Sequence, residues 1–200
     1  MITKAVVLVS LNSTRMDQLL ALGGRIVVDS DVAAMDVLVF DVHEVINGVF
    51  FRASKADTEY GVVESKIEMV NDLFVRPFSD RSLVRFSELD ASMAPYLGNV
   101  YSEYYRDASF RRHCKSQVFR NLQPKLRELG ILKHTSRLIE VLVPFLLAEI
   151  AYYLFVFDTG VYEQTYGLEP EMGIITDIKA RKYPALSGYL KHDVPHVKYG

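Results

Sequence analysis

The chain has one cysteine, Cys114, in 200 residues. That excludes an internal disulfide and any site built from several thiolates, and it suits a reducing cytosol. Cys114 itself reads as a small half-buried residue on a helix. Charge of one sign is equally scarce: charged residues make up 24%, both signs are mixed and the formal charge is −2. Neither a disordered tail nor a wholly basic nucleic-acid binder is indicated, so an anionic partner must dock on a local patch. The longest apolar stretch, residues 141–157, carries Glu149 at its centre and ends at Asp158, short of a membrane span. The apolar run at residues 5–9 is too short for a signal core and lacks a small-residue cleavage site. A soluble, cytoplasmic protein is expected. Gly23-Gly24 lacks the further glycine of a dinucleotide fingerprint, and no Gly-Lys-Ser/Thr occurs, so nothing argues for ATP, NAD or another cofactor. His192 and His196 have Pro195 between them and no adjoining glutamate, so no metal site is expected.

Half of the residues are apolar, enough to bury one sizeable core, and the length favours a single compact domain over residues 1–200. Residues 5–9 form a β-branched run of the kind found in a parallel strand buried on both faces. The polar segment Ser10-Leu11-Asn12-Ser13 follows, then a short helix at 14–22 that Gly23-Gly24 ends. Further strands are expected at 25–28 and 35–40, a helix at 55–73, a short strand at 83–86, and helices at 89–105 and 107–129. A long helix spans 136–158 with Pro144 inside it. A strand at 161–166 and a helix at 170–180 precede a tail, from Tyr183, punctuated by Gly and Pro. Alternating strands and helices of this size predict an α/β, Rossmann-like fold, a mostly parallel sheet with helices on both faces.

In an open α/β sheet, ligands bind beyond the carboxyl ends of the strands, which singles out Ser10 and Asp41. Ser10 lies between a strand and a helix, where backbone N–H groups can hold negative charge developing on an oxygen. That position suits a nucleophilic hydroxyl, and it equally suits Ser10 and Ser13 as helix caps. Glu149 lies within Val143-Pro144-Phe145-Leu146-Leu147-Ala148-Glu149-Ile150-Ala151-Tyr152-Tyr153-Leu154, where a buried carboxylate costs free energy unless it is satisfied. Phe145, Tyr152 and Tyr153 share or border its helical face. Either the carboxylate has a chemical task or it is hydrogen-bonded to tyrosine hydroxyls on a polar stripe. Residues 111–137 hold eight Lys or Arg against one acid, Glu128. Arg111, Arg112, Lys115, Arg120, Lys125 and Arg127 are therefore candidate phosphate contacts, unless they form an ordinary solvated helix face.

These features line up with one family. Val7-Leu8-Val9-Ser10-Leu11-Asn12-Ser13 resembles the first strand and nucleophile loop of tRNA-dependent cyclodipeptide synthases, in particular the subgroup whose loop reads Ser-Leu-Asn-Ser. The strand running into Asp41-Val42-His43-Glu44 resembles the family's second conserved strand. Arg85-Phe86-Ser87-Glu88-Leu89 is similar to its aromatic-Ser/Asp-Glu-Leu segment, and Tyr104-Tyr105-Arg106-Asp107-Ala108-Ser109-Phe110-Arg111 to its Tyr-x-x-Asp-x-x-Phe-Arg stretch. Ala148-Glu149-Ile150-Ala151 resembles the catalytic glutamate helix. The motifs occur in the family's order over nearly the whole chain.

The resemblance implies a fold like the catalytic domain of tyrosyl- and tryptophanyl-type aminoacyl-tRNA synthetases. It implies an aminoacyltransferase that turns two aminoacyl-tRNAs into a diketopiperazine of secondary metabolism, with no ATP because the tRNA ester is already activated. Ser10 would carry the first aminoacyl group as an ester, and Glu149 would hold its ammonium. Tyr166 would relay protons in cyclisation, with Tyr183, in Tyr183-Pro184, as the rival. Ser13, Asp41, Phe145, Tyr152, Tyr153 and Tyr183 would line the substrate site, and the basic residues above would contact tRNA. A tailoring enzyme acting on the product is a further possible partner. Two departures stand out. Phe145 occupies the position, four before the glutamate, where the family has a tyrosine, so that Tyr152 or Tyr153 would have to supply the missing hydroxyl. Residues 55–72, where the family places a basic helix, carry Asp57, Glu59, Glu64, Glu68 and Asp72 against Lys55 and Lys66. A relative that binds aminoacyl-tRNA or another nucleotide without chemistry is the second reading, and an unrelated Rossmann-like hydrolase or transferase the third.

Overall fold

The computed structural model describes residues 2–11, 32–41, 55–129, 135–168 and 171–198. The expected helix at 14–22, the strand at 25–28 and Ser13 lie outside the described residues. The chain divides into two compact units: Met1–Asp90 with Val161–Glu171 and Val194–Gly200, and Ala91–Gly160 with Met172–Asp193.

The first unit is built on a sheet of β1 (Ile2–Val9), β2 (Val32–Val39), β3 (Arg81–Arg85), β4 (Gln164–Gly167) and β5 (His196–Lys198). Its order is β3-β2-β1-β4-β5 and every pairing is parallel. The register pairs Val9 with Val39, Val39 with Arg85 and Val7 with Tyr166. Side chains alternate across a strand, and on one face Ala5, Val7, Val9, Leu11, Met35, Val37, Val39 and Tyr166 form a core. Helix α1 (Ala56–Val70) and the wide turn Asn71–Val75 after it close that face with Val63, Ile67, Val70 and Phe74, a stripe at helical spacing. On the other face Asp36 is buried, accepts a hydrogen bond from the Tyr162 hydroxyl at 2.6 Å and pairs with the Lys4 ammonium at 2.8 Å. A carboxylate placed mid-strand is thus satisfied twice, as burial of a charge requires. The strand expected at 161–166 begins only at Gln164, because Tyr162 turns out to meet Asp36.

The second unit contains α2 (Asp90–Arg106, all but its first residue), α3 (Ala108–Leu129), α4 (Thr135–Thr159), α5 (Gly173–Lys179) and the short α6 (Pro184–Ser187). Helix α3 packs on α4 and on α5, and its buried residues Phe110, Cys114, Val118, Leu122 and Leu126 recur every four positions. Cys114 is fully buried rather than half-buried, and burial pushes its thiol up to about 12. Helix α4 runs through Pro144 as one element and is long and apolar enough to cross a membrane by length and composition. Here Ile150 to Leu154 are all buried within the protein, the pattern of a core helix that is apolar all round.

Candidate active site

Ser10 directly follows β1, the central strand, and is half-buried. Both of its neighbours are held. The Val9 carbonyl accepts the Phe40 N–H at 3.1 Å. Leu11 is 1% exposed with its side chain in the core, and its carbonyl accepts the Lys66 ammonium of α1 at 2.7 Å. Val9 and Leu11, on either side of Ser10, both belong to the α1-side core. The backbone before and after the hydroxyl is therefore fixed, which is what a nucleophile needs.

Asp41, just past β2, is buried, and both carboxylate oxygens are engaged by Ser87: the N–H at 3.2 Å and the hydroxyl at 2.6 Å. Ser87 sits in the tight turn Phe86–Leu89 after β3. In the same segment the Arg85 guanidinium forms two bonds to Glu64, at 2.6 and 2.7 Å, which hold that carboxyl below its usual range. The Arg85-Phe86-Ser87-Glu88 segment thus ties the ends of β2 and β3 together and to α1. Tyr166 pairs with Val7 and is 1% exposed, its ring among the residues of the α1-side core.

In the helical unit, Glu149 and Phe145 are half-buried one turn apart on α4, while Tyr152 and Tyr153 are buried. The Tyr152 and Tyr153 rings meet edge to face at 5.9 Å, and Tyr153 lies 5.9 Å from Phe157. Tyr183 is buried at the start of α6, edge-on to Phe110 at 4.9 Å. Its hydroxyl lies 2.9 Å from His113 Nδ1, which is 3.4 Å from Asp177 Oδ2, and Lys182 binds the other Asp177 oxygen at 2.6 Å. Burial lowers the His113 pKa against the attraction of Asp177, with Arg120 and Lys182 lowering it further. Burial, then Asp177, raises that of Tyr183. Sequence reasoning missed His113 and Asp177, since a lone histidine in a basic helix carries no spacing signal.

The Tyr104–Arg111 segment forms the joint between α2 and α3. Asp107 Oδ1 accepts the N–H groups of Ser109 at 2.6 Å and Phe110 at 3.0 Å, capping α3, and Arg111 donates to the last α2 carbonyls, Tyr104 at 3.3 Å and Tyr105 at 3.0 Å. Among the other candidate phosphate contacts, Lys115 pairs with Glu140, which holds its ammonium above the usual lysine value. Arg120 donates to Gln117 at 2.7 Å. Arg112 and Arg127 are exposed, and the Lys125 side chain lies outside the described residues. Of the acids between 55 and 72, Glu68 in α1 and Asp72 in the turn after it both pair with Arg76.

No protein-family model matches the sequence, and neither does any curated protein. Solved structures do match. A cyclodipeptide synthase from Fluoribacter dumoffii is 11% identical, with a TM-score of 0.74 over 99% of this chain and 90% of that one. The cyclodipeptide synthase of Candidatus Glomeribacter gigasporarum, solved bound to Phe-tRNAPhe, is 14% identical with a TM-score of 0.60 over 98% of this chain and 87% of that one. A Mycobacterium tuberculosis protein, whose structure relates cyclodipeptide synthetases to type I tRNA synthetases, is 18% identical with a TM-score of 0.50 over 82% of this chain and 72% of that one. At such identities the likeness is one of fold, and it makes this chain α/β and Rossmann-like, with the architecture found in cyclodipeptide synthases.

Proposed function

We propose that the chain is a cytoplasmic, tRNA-dependent cyclodipeptide synthase. The observation that carries the reading is Ser10, held on both sides at the carboxyl end of the central strand, in a fold shared along 99% of the chain with a protein of that activity. In this reading the Ser10 hydroxyl attacks the ester carbonyl of the first aminoacyl-tRNA. The bond to the tRNA ribose breaks, the tRNA leaves with the proton, and the aminoacyl group stays as a serine ester. Its amine then attacks the ester carbonyl of the second aminoacyl-tRNA, whose bond to the ribose breaks so that the second tRNA leaves with a proton, giving a dipeptidyl-serine. The new terminal amine attacks the serine ester, so that the cyclic dipeptide leaves and the hydroxyl is restored. Glu149, half-buried on α4, holds the ammonium and accepts the proton that the amine must lose before attack.

For the proton relay of the last step, Tyr166 and Tyr183 are the alternatives. Tyr166, on the strand next to β1, is preferred, and Tyr183, whose hydroxyl lies 2.9 Å from His113 Nδ1, is the rival. Tyr152 or Tyr153 supplies the hydroxyl that Phe145 lacks. Solvent-facing Arg112 and Arg127, with Arg111, Lys115, Arg120 and Lys125 on the same helix, contact the tRNA backbone.

The test is mass spectrometry of culture medium from bacteria expressing the wild-type chain and Ser10→Ala. A diketopiperazine present with wild type and absent with Ser10→Ala is expected. Its absence from a well-folded wild type would favour a relative that binds aminoacyl-tRNA without chemistry, a reading to which Phe145 lends some support.

A further inference from the structure

The α2–α3 joint carries an aromatic surface for which the proposed chemistry has no use. Tyr105 is 71% exposed, the highest value for a large apolar or aromatic side chain among the described residues. Its ring is nevertheless set in place. Tyr101, one helical turn earlier, lies stacked behind it at 6.4 Å with 24° between planes. Buried Tyr104 meets it edge-on at 5.4 Å, and Arg111 holds its carbonyl at 3.0 Å. The charges around it lean positive. Arg106 is matched by Glu103, Lys115 by Glu140, and Asp107 is engaged in capping α3, while neither Arg111 nor Arg112 forms an ion pair among the described residues.

A protein partner would require a contiguous apolar patch, and no other large apolar side chain is exposed on α2 or α3 among the described residues. A single pre-set ring beside unmatched guanidinium groups fits an unpaired nucleobase next to its phosphates, because every base offers a π-face and stacks without sequence preference. Resting on the aminoacyl-tRNA reading, we infer that Tyr105, backed by Tyr101, is a stacking platform for an unpaired base of the tRNA substrate, flanked by phosphate contacts at Arg111 and Arg112.

The experiment measures binding of labelled, uncharged tRNA and of a fully paired RNA duplex by fluorescence anisotropy over a salt series, with circular dichroism as a check on folding. Tyr105→Leu, which keeps apolar bulk against Tyr101 and Tyr104 but removes the ring, is expected to weaken tRNA binding roughly tenfold. It should leave both the salt slope and duplex binding unchanged. Tyr105→Phe is expected to bind within about twofold of wild type. Arg112→Ala should weaken tRNA and duplex alike and reduce the salt slope by about one. Wild-type affinity for tRNA in Tyr105→Leu, beside a loss in Arg112→Ala, overturns the platform and leaves the tRNA reading standing; so does equal weakening of tRNA and duplex by Tyr105→Leu. Failure of the wild-type chain to bind tRNA overturns both.

Discussion

His113 sits where burial and charge compete over one proton. Burial, Arg120 and Lys182 disfavour its cation, and Asp177 at 3.4 Å favours it, with the net shift downward. The unfolded chain takes up this proton near about pH 6.5, whereas the folded chain resists until a lower pH. The stability contributed by neutral His113 is therefore complete above the unfolded value and is lost as pH falls through the folded one. His113→Gln, a residue that never titrates, is expected to show a smaller drop in Tm than wild type between about pH 7.5 and about pH 5, read by differential scanning calorimetry at matched ionic strength. Equal drops would remove His113 as a contributor. The residue scale is also where the sequence was least legible. Ser10 and Asp41 stand out because each follows an apolar run, and the structure finds them past the ends of β1 and β2. The His113, Asp177 and Tyr183 cluster joins groups from three separate elements, α3, α5 and the turn into α6, which no local spacing can announce. Nor can a Tyr-Gly dipeptide reveal that the Tyr166 ring faces the core, since parity along a four-residue strand depends on its register with β1.

Helices and strands with a long, regular pattern were readable from sequence. The five buried positions of α3 repeat every four residues, and both β1 and β2 carry near-continuous apolar runs. The boundaries of α2, α3 and α4 fall within a residue of expectation. The elements that escaped, α6 and β5, are short: three or four residues hold too few periods to show, and β5 is held by pairing with β4 and by Val197 against the core. The joint between α2 and α3 shows how a family-like motif can serve the fold: its aspartate caps one helix and its arginine the other. Asp107→Ala removes the acceptor for two N–H groups at the start of α3 and is expected to destabilise the helical unit by about 1 kcal/mol. In a chain of this length that corresponds to a Tm lower by roughly 2–4 °C, visible as a shift of the far-ultraviolet circular dichroism melt. Asp107→Asn, which keeps an acceptor oxygen, should recover most of it.

At the scale of the whole molecule, the class of fold was legible because strands and helices alternate, and the all-parallel sheet agrees with that reading. The order of its strands was not, because pairing partners far apart along the chain leave no local trace. Strand β1 pairs with β2 soon after it, but its other neighbour, β4, arrives only after α1 through α4 have been made. During synthesis, one edge of this apolar central strand therefore waits as an unfilled hydrogen-bonding template, the condition that invites pairing with another chain. Chains stopped at Gly160 are expected to sediment as aggregates and to be cut within β1 by added protease. Chains extended through Lys198 should remain monodisperse and protected there, a contrast that pelleting and limited proteolysis of ribosome-released products would measure. Such a protein depends on how long a ribosome lingers over α4, so its yield in a cell should respond to translation speed and to chaperones that shield nascent strands.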